Sequence, residues 1–85
     1  MVITYHKKFV KQSKNLPSKI KEKLTQRLKI FGQDEHNSIL NNHSLAGKYQ
    51  GYRSINITGD LRALYQKEGN IVTFVSIDSH SNLYG

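Results

Sequence analysis

Residues 43–65 read HSLAGKYQGYRSINITGDLRALY, and this stretch decides the fold. Within it, Ile55 and Ile57 alternate with polar residues, a period of two that is typical of a strand with one buried face. Thr58-Gly59-Asp60 is a turn signal, and Leu61–Gln66 follows as the next apolar run. The stretch therefore predicts the beginning of an antiparallel meander.

The chain after this stretch continues the meander. Lys67-Glu68-Gly69-Asn70 predicts a hairpin turn. Ile71–Ile77 is apolar at nearly every position, which predicts a central strand covered on both faces. We expect the tail, residues 78–85, to form a last turn or an edge strand.

The chain before residue 43 predicts one strand and two helices. Val2–Tyr5 is β-prone, and Lys7–Lys14 suits a short helix that ends before Pro17. From Ser18 a second helix is indicated by apolar residues at helical spacing, namely Ile20, Leu24, Leu28 and Phe31. Gly32 is the expected C-cap of that helix.

Residues 33–42 are polar, and a loop or a short helical turn is expected there. The whole pattern predicts one α+β domain over residues 1–85, in the order β-α-α-β-β-β(-β). The basic N-terminal helices would pack on one face of a small, mainly antiparallel sheet and leave the other face free.

Charge is distributed unevenly along the chain, whose net charge is +7. Residues 1–32 hold nine Lys or Arg against Glu22 alone, whereas residues 33–85 hold four against five acids. A basic region of this kind favours a polyanion such as nucleic acid, although an acidic protein partner or a merely solvated lysine-rich surface also fits.

Cysteine is absent, which excludes disulfides, thiolate metal sites and a cysteine nucleophile, and makes a reducing cytoplasm the natural compartment. No segment is apolar and long enough to suggest a signal peptide or a membrane span. We expect no membrane association.

Ionisable residues of the second half form the candidate site. Asp60 and Arg62 have the spacing that places two side chains on one strand face, where arginine suits a phosphate, although a plain surface ion pair is the alternative. His80 follows the last long strand and His43 precedes the meander, so both can reach the same face. Histidine transfers protons near neutral pH, which acid–base cleavage of a phosphodiester requires.

Metal-ligand spacings such as HxxxH or a close acid cluster are absent, so we expect no metal and no cofactor. Metal-free cleavage uses the ribose 2′-OH as nucleophile and therefore favours RNA over DNA. Tyrosines can also stack on bases. Among them Tyr84 is the best candidate, Tyr65 is expected in the core, and Tyr49 and Tyr52 remain open.

Three motifs carry a resemblance to a known family: HSLAGKYQGYR from His43, GDLRALY from Gly59 and SHSNLYG from Ser79. They resemble the RelE/YafQ-type toxins of type II toxin–antitoxin systems, which are ribosome-dependent mRNA interferases. The resemblance covers most of the chain and implies a RelE-like fold.

The resemblance implies a role for individual residues. His43 and Asp60 would be the acid/base groups beside the scissile phosphate, His80 the second proton-transfer histidine and Tyr84 the aromatic that orients it or the base. Which of His43 and Asp60 is the base stays open. The substrate-binding residues would be Arg62, Arg53, Lys48 and Asn56.

Two of these positions carry alternatives. The strand parity of Arg53 goes with Ile55, so a structural role is the other reading. Asn56 stands where some members of the family have a further histidine, and asparagine can hydrogen-bond but cannot shuttle protons.

The implied partners are an antitoxin with an acidic amphipathic segment, and the ribosome with its mRNA. DNA binding by the chain alone is not expected. Ribosomal RNA would face the basic helices through Lys7, Lys8, Lys11, Lys14, Lys19, Lys23 and Arg27. The alternatives are a gyrase-inhibiting toxin like ParE, or a decayed toxin that only binds its antitoxin.

Overall fold

The structure, a computed structural model, describes residues 1–84 apart from the side chains of Asn82 and Tyr84. Short 3₁₀ turns lie at Ser38–Leu40 and Gly47–Tyr49. The strands and helices, in chain order, are β1 (Val2–Tyr5), α1 (Lys7–Lys14), α2 (Ser18–Gln33), β2 (His43–Ser44), β3 (Arg53–Asn56), β4 (Leu61–Glu68), β5 (Ile71–Ser79) and α3 (His80–Tyr84).

The strands form one five-stranded sheet in the order β1-β5-β4-β3-β2. Strands β2 to β5 pair antiparallel as a meander, and β1 returns to pair parallel with β5. Beyond the end of β1, the edge of β5 is covered by Gln12 of α1, whose side chain donates to the carbonyl of Ile77 at 3.0 Å and accepts from its amide at 2.7 Å. This architecture confirms the α+β prediction.

The hydrophobic core lies between the two long helices and one face of the sheet. Phe31 of α2 packs edge-on against Tyr65 and Phe74, with ring centroids 5.0 and 5.2 Å apart. Phe9 of α1 reaches the Phe74 ring at 5.5 Å. Aromatic side chains bury large areas in such edge-to-face contacts, so these rings anchor both helices to the sheet.

Two details of the sequence prediction are wrong. Gly32 lies inside α2, which continues to Gln33 and has Asp34 as its C-cap. Strand β5 is fully buried on one face alone: Val72 and Phe74 are buried, whereas Thr73 and Ser76, on the other face, are partly exposed. The physical reason is that α1 and α2 both pack against the same side of the sheet.

The turns agree with their sequence signals. Gly69 has a φ of 60°, the left-handed conformation that a two-residue hairpin between β4 and β5 requires. The tail forms the short helix α3, as expected for a last turn. Among the residues that the structure describes, no helix is long and apolar enough to cross a membrane.

Candidate functional site

The side of the sheet opposite α1 and α2, which we call the open face, carries three of the predicted site residues: His43, Asn56 and Arg62. Strand register places His43 beside Ser54, and places Asn56 beside Arg62, which in turn lies beside Asp78. Residues paired directly across strands, or two apart along a strand, point to the same face. His43 and Arg62 therefore share a face, as the sequence predicted.

His43 is oriented by a backbone carbonyl. Its Nδ1 lies 2.7 Å from the carbonyl oxygen of Asn41, which adopts the left-handed conformation with a φ of 46°. Because a carbonyl oxygen only accepts, the proton of this bond belongs to Nδ1. The neutral ring then carries its lone pair on Nε2, which is the arrangement that a general base needs.

Asp60 and His80 lie next to each other although they are twenty positions apart in the sequence. The backbone amide of His80 donates to the carbonyl of Asp60 at 2.6 Å, which ties the first residue of α3 to the turn before β4. Both residues are exposed. The structure thus brings together two of the four residues predicted to be catalytic.

The turn that presents Asp60 is held from both sides. The hydroxyl of Thr58 accepts from the amides of Asp60 and Leu61 at 3.2 and 3.0 Å. Arg62, only 7% exposed, directs its Nη1 at the carbonyls of Thr58, Leu61 and Gly59 at 2.8, 3.2 and 3.3 Å. The guanidinium therefore fixes the turn and, through Asp60, the position of His80.

Two buried polar atoms on this face have no hydrogen-bond partner among the described residues. They are the Oδ1 of Asn56 and the Nε of Arg62, an acceptor and a donor on residues directly opposite in β3 and β4. An unpaired buried polar atom costs free energy, so a native structure retains such atoms chiefly where a ligand or water satisfies them.

Arg53 is not brought together with these residues. Its side chain lies on the helix side, where its Nε donates to Asn42 Oδ1 at 2.9 Å. Asn42 in turn donates to the hydroxyl of Tyr65 at 2.7 Å. The position of Arg53 thus matches the structural alternative that strand parity offered, because successive residues of β3 point to opposite faces.

An ion pair stands close to Arg53. Lys67 Nζ lies 2.7 Å from Glu35 Oε1. The hydrogen bond from Lys67 holds the pKa of Glu35 below its usual value, and the charges of Lys67, His36 and Arg53 act in the same direction. This cluster belongs to the helix side of the sheet.

The other predicted residues are distributed as follows. Lys48 is exposed, with its Nζ 5.2 Å from the centre of the Tyr49 ring. The side chain of Tyr84 lies outside the described part of the structure. Of the basic residues assigned to ribosomal RNA, Arg27 is partly buried, while the exposed ones are Lys7, Lys8, Lys11, Lys14, Lys19 and Lys23.

Sequence reasoning missed the residues that position the site. The Asn41 carbonyl orients the ring of His43. The sequence indicates this contact only by the residue type at position 41, since asparagine tolerates the left-handed conformation. Asp78 lies opposite Arg62 on the open face, which follows from the β4–β5 register. No group of three or more His, Cys, Asp or Glu side chains suited to a metal occurs in the described part of the chain.

Comparison with known proteins adds independent evidence. A family model described as "Bacterial toxin of type II toxin-antitoxin system, YafQ" matches residues 1–85. No curated protein matches the chain.

Solved structures of similar fold cover nearly the whole chain. YafQ from E. coli strain BL21(DE3) has a TM-score of 0.79 at 20% identity, over 98% of this chain and 97% of that one. A YoeB/ParE toxin from Agrobacterium tumefaciens has a TM-score of 0.75 at 16% identity, over 94% and 99%. In the E. coli DinJ-YafQ complex, the matching chain has a TM-score of 0.64 at 22% identity, over 98% and 97%.

Proposed function

The chain belongs to the YafQ family of bacterial toxins of type II toxin–antitoxin systems, and we propose that it is an endoribonuclease that cuts mRNA in the ribosomal A site. Its membership confirms the resemblance carried by the three motifs. The cleavage would use the 2′-OH of the RNA itself and would inhibit translation.

One observation carries this proposal: strand register puts His43 and Arg62 on the same face of the sheet. In addition, the backbone of His80 is bonded to that of Asp60 where β5 ends and β4 begins. Cleavage through the 2′-OH needs a base on one side of the phosphate and an acid on the other, because the attacking and leaving oxygens are in line. His43 and His80 would supply these two groups, with the Arg62 guanidinium between them.

His43 is the group best suited to be the general base. Its Nδ1 proton is engaged by the Asn41 carbonyl, so the neutral ring presents Nε2 to the 2′-OH proton. The 2′-oxygen attacks phosphorus as that proton leaves. With this assignment we propose His43 as the general base, a choice between His43 and Asp60 that the sequence left open.

His80 would protonate the 5′ oxygen as the phosphorus–oxygen bond breaks. Asp60 is bonded to it through the backbone and would stabilise the imidazolium form by its charge. The products would be a 2′,3′-cyclic phosphate (or, after hydrolysis, a 3′-phosphate) and a 5′-OH. The expected role of Tyr84 is to orient His80 or a base.

Arg62 would stabilise the negative charge that builds on the phosphate. Its Nη1 donates to the turn carbonyls, while its buried Nε has no partner among the described residues. A nearly buried cation acts strongly on a nearby anion because little water screens it. Asn56 would accept or donate a hydrogen bond to the substrate without transferring a proton.

The proposed partners follow from charge and family. The exposed lysines of α1 and α2 would contact ribosomal RNA, with an affinity that falls as salt rises. A type II system pairs the toxin with an antitoxin, and the solved DinJ-YafQ complex supports such a partner here. The excess positive charge of residues 1–32 favours an acidic antitoxin segment.

Primer extension on a reporter mRNA, after induction of the chain in growing bacteria, tests the proposal. We expect discrete new 5′ ends within the translated region and arrest of growth. His80→Ala should remove both, and it should leave folding and antitoxin binding intact because His80 is exposed.

The matched control is His36→Ala, which removes an exposed histidine on the helix side and should leave cleavage unchanged. A His80→Ala variant that still cuts would refute the assigned role. Growth arrest with a DNA damage response and intact mRNA would replace the proposal by a gyrase-inhibiting toxin. Antitoxin binding without arrest would indicate a decayed toxin.

A further inference from the structure

A cavity of about 450 Å³ lies on the open face beside the proposed cleavage site. Its floor is Leu64 of β4 and Val75 of β5. Leu64 is two residues from Arg62 on the same strand, about 7 Å along it, so the cavity adjoins the proposed phosphate position. Its volume is in the range of small-molecule sites.

A β-bulge shapes this floor. Leu64 pairs with Ser76 and Tyr65 with Phe74, so Val75 is an extra residue of β5. A bulge re-aims side chains locally, and here both Val75 and Ser76 line the cavity. The bulge therefore widens the open face next to the row of Asn56 and Arg62.

The walls combine aromatic rings with positive charge. Tyr49 and Tyr52 line one side, and the Lys48 ammonium lies over the Tyr49 ring at 5.2 Å. Lys8 lines the cavity from α1, together with His6. Among the described lining residues none is acidic, so the walls favour an anion.

Polar groups for recognition are also present. Gln66 of β4 and Ser76 of β5 line the cavity and offer amide and hydroxyl groups that both donate and accept. The ring of His6 accepts from the Lys8 amide at Nδ1, 3.1 Å away, so the neutral ring has its proton on Nε2 as a further donor. Together these groups suit a nucleotide. A base can stack on the tyrosine rings, a phosphate can pair with the lysine ammonium groups, and the base edge can hydrogen-bond to the glutamine amide.

We propose that this cavity binds the nucleotide adjoining the scissile phosphate, with its base stacked on Tyr49 or Tyr52, its phosphate near Lys8 and Lys48, and its base edge read by Gln66. The inference rests on the proposed endoribonuclease function and adds the residues that set sequence preference. Lys8 then belongs to substrate binding and not to the ribosomal contact that its place in the basic helices suggested.

Binding is tested without cleavage, by amide NMR shifts of the full chain titrated with a single-stranded 2′-O-methyl RNA hexamer and, separately, with the four nucleoside 5′-monophosphates. The hexamer has no 2′-OH to attack phosphorus. We expect shifts at residues 48–52, 64–66 and 75–76, and tighter binding of the hexamer than of any monophosphate.

Two variants locate the contacts. Tyr49→Ala should weaken hexamer binding roughly tenfold, the usual loss when a stacking ring is removed. Gln66→Ala should weaken it roughly fivefold for the preferred base and leave the other bases unchanged. Gln33→Ala, which removes an exposed glutamine at the end of α2, is the control and should bind like the parent chain.

The inference is overturned if the cavity amides stay unshifted with every probe, or if Gln66→Ala binds like Gln33→Ala. A monophosphate that binds as tightly as the hexamer would also overturn it, since the cavity would then hold free nucleotides. Failure of the proposed function can be distinguished from failure of this inference. If the cavity amides shift as expected but mRNA stays uncut, the nuclease proposal fails and nucleotide binding by the cavity stands.

Discussion

On the helix side of the sheet, Phe31, Tyr65 and Phe74 pack ring against ring and are fully buried, and the Tyr65 hydroxyl accepts a hydrogen bond from Asn42. On the open face, Asn56 and Arg62 each keep a buried polar atom without a partner among the described residues. Buried polar atoms without a described partner also occur on α2, namely Nε and Nη1 of Arg27. What distinguishes the open face is that its unpaired acceptor and donor lie on residues directly opposite in β3 and β4. A neighbouring unpaired donor and acceptor is typical of a surface that binds a ligand, so the proposed site and the aromatic core lie on opposite faces of one sheet.

The largest expected effect is on the helix side. Phe74→Ala should lower the free energy of unfolding by about 3–5 kcal/mol, because it removes a ring that contacts Phe9, Phe31 and Tyr65 and leaves a cavity that the sheet cannot close. Chemical denaturation followed by circular dichroism measures this loss.

His80→Ala is the counterpart at the proposed site and is examined by the same denaturation measurement. Since His80 is exposed, we expect a change within about 0.5 kcal/mol. If His80→Ala lowers the free energy of unfolding as much as Phe74→Ala does, the proposed site contributes to stability as much as the aromatic core, and the contrast between the two regions is wrong.

The next effect concerns Arg62, the open-face residue that both holds the turn before β4 and is proposed to bind the phosphate. Arg62→Ala should lower the free energy of unfolding by about 2 kcal/mol, because charged hydrogen bonds to the turn carbonyls are lost. It should also speed hydrogen exchange at the His80 amide, whose acceptor is in that turn.

Arg62→Lys is the matched variant, since it keeps the charge and loses the planar fork. We expect intermediate stability and intermediate exchange at His80. An unchanged exchange rate of the His80 amide in both variants would show that Arg62 does not position His80. The role of Arg62 would then be electrostatic only.

A pair of identical substitutions sharpens the contrast further. Asn42→Ala should cost about 1–2 kcal/mol, because its amide donates to the carbonyl of Glu35 and the hydroxyl of Tyr65 and accepts from Arg53. Asn56→Ala should leave the free energy of unfolding unchanged or raise it by up to about 1 kcal/mol, because it removes a buried Oδ1 that has no partner among the described residues.

Thermal and urea unfolding of the two asparagine variants, with hexamer binding measured in parallel, make the comparison. We expect binding to fall for Asn56→Ala and to persist for Asn42→Ala. Equal destabilisation by the two changes would mean that the Asn56 amide is bonded as fully as that of Asn42.

Much of the fold follows from local sequence signals. The period of two around Ile55, the turn at Thr58-Gly59-Asp60 and the helical spacing of Leu24, Leu28 and Phe31 each predict the element that forms. The prediction that α2 ends at Gly32 was wrong, because glycine is tolerated in the last turn of a helix that packs on a core. Here the Cδ1 of Ile3 lies 3.9 Å from the position that a Cβ of residue 32 would occupy.

The site was predictable only in part. Strand parity alone places Arg53 with Ile55 on the helix side, and the motifs single out His43, Asp60 and His80. The parallel pairing of β1 with β5, which carries His6 and Lys8 to the open face, joins residues some seventy positions apart. No local pattern encodes such a pairing, so the sequence did not predict the cavity on the open face.

The smallest effect returns to the helix side, at the ion pair of Glu35 and Lys67. Because the pKa of Glu35 is lower in the folded chain than its ordinary 4.5, the folded state favours the carboxylate. The resulting stabilisation is fully present above that ordinary value and is lost as the pH falls through the folded pKa. Partial exposure of both partners limits it to about 0.2–1 kcal/mol.

Glu35→Gln isolates this contribution when urea unfolding is compared with that of the parent chain near neutral pH and again well below pH 4.5. We expect the variant to be less stable near neutral pH, and the two chains to be equal at the acidic pH, where the parent carboxyl is also neutral. Added salt should shrink the neutral-pH difference, since it screens exposed charges. A difference that persisted at acidic pH would assign the stabilisation to packing and not to charge, and hexamer binding should be the same in both chains because the pair lies on the helix side.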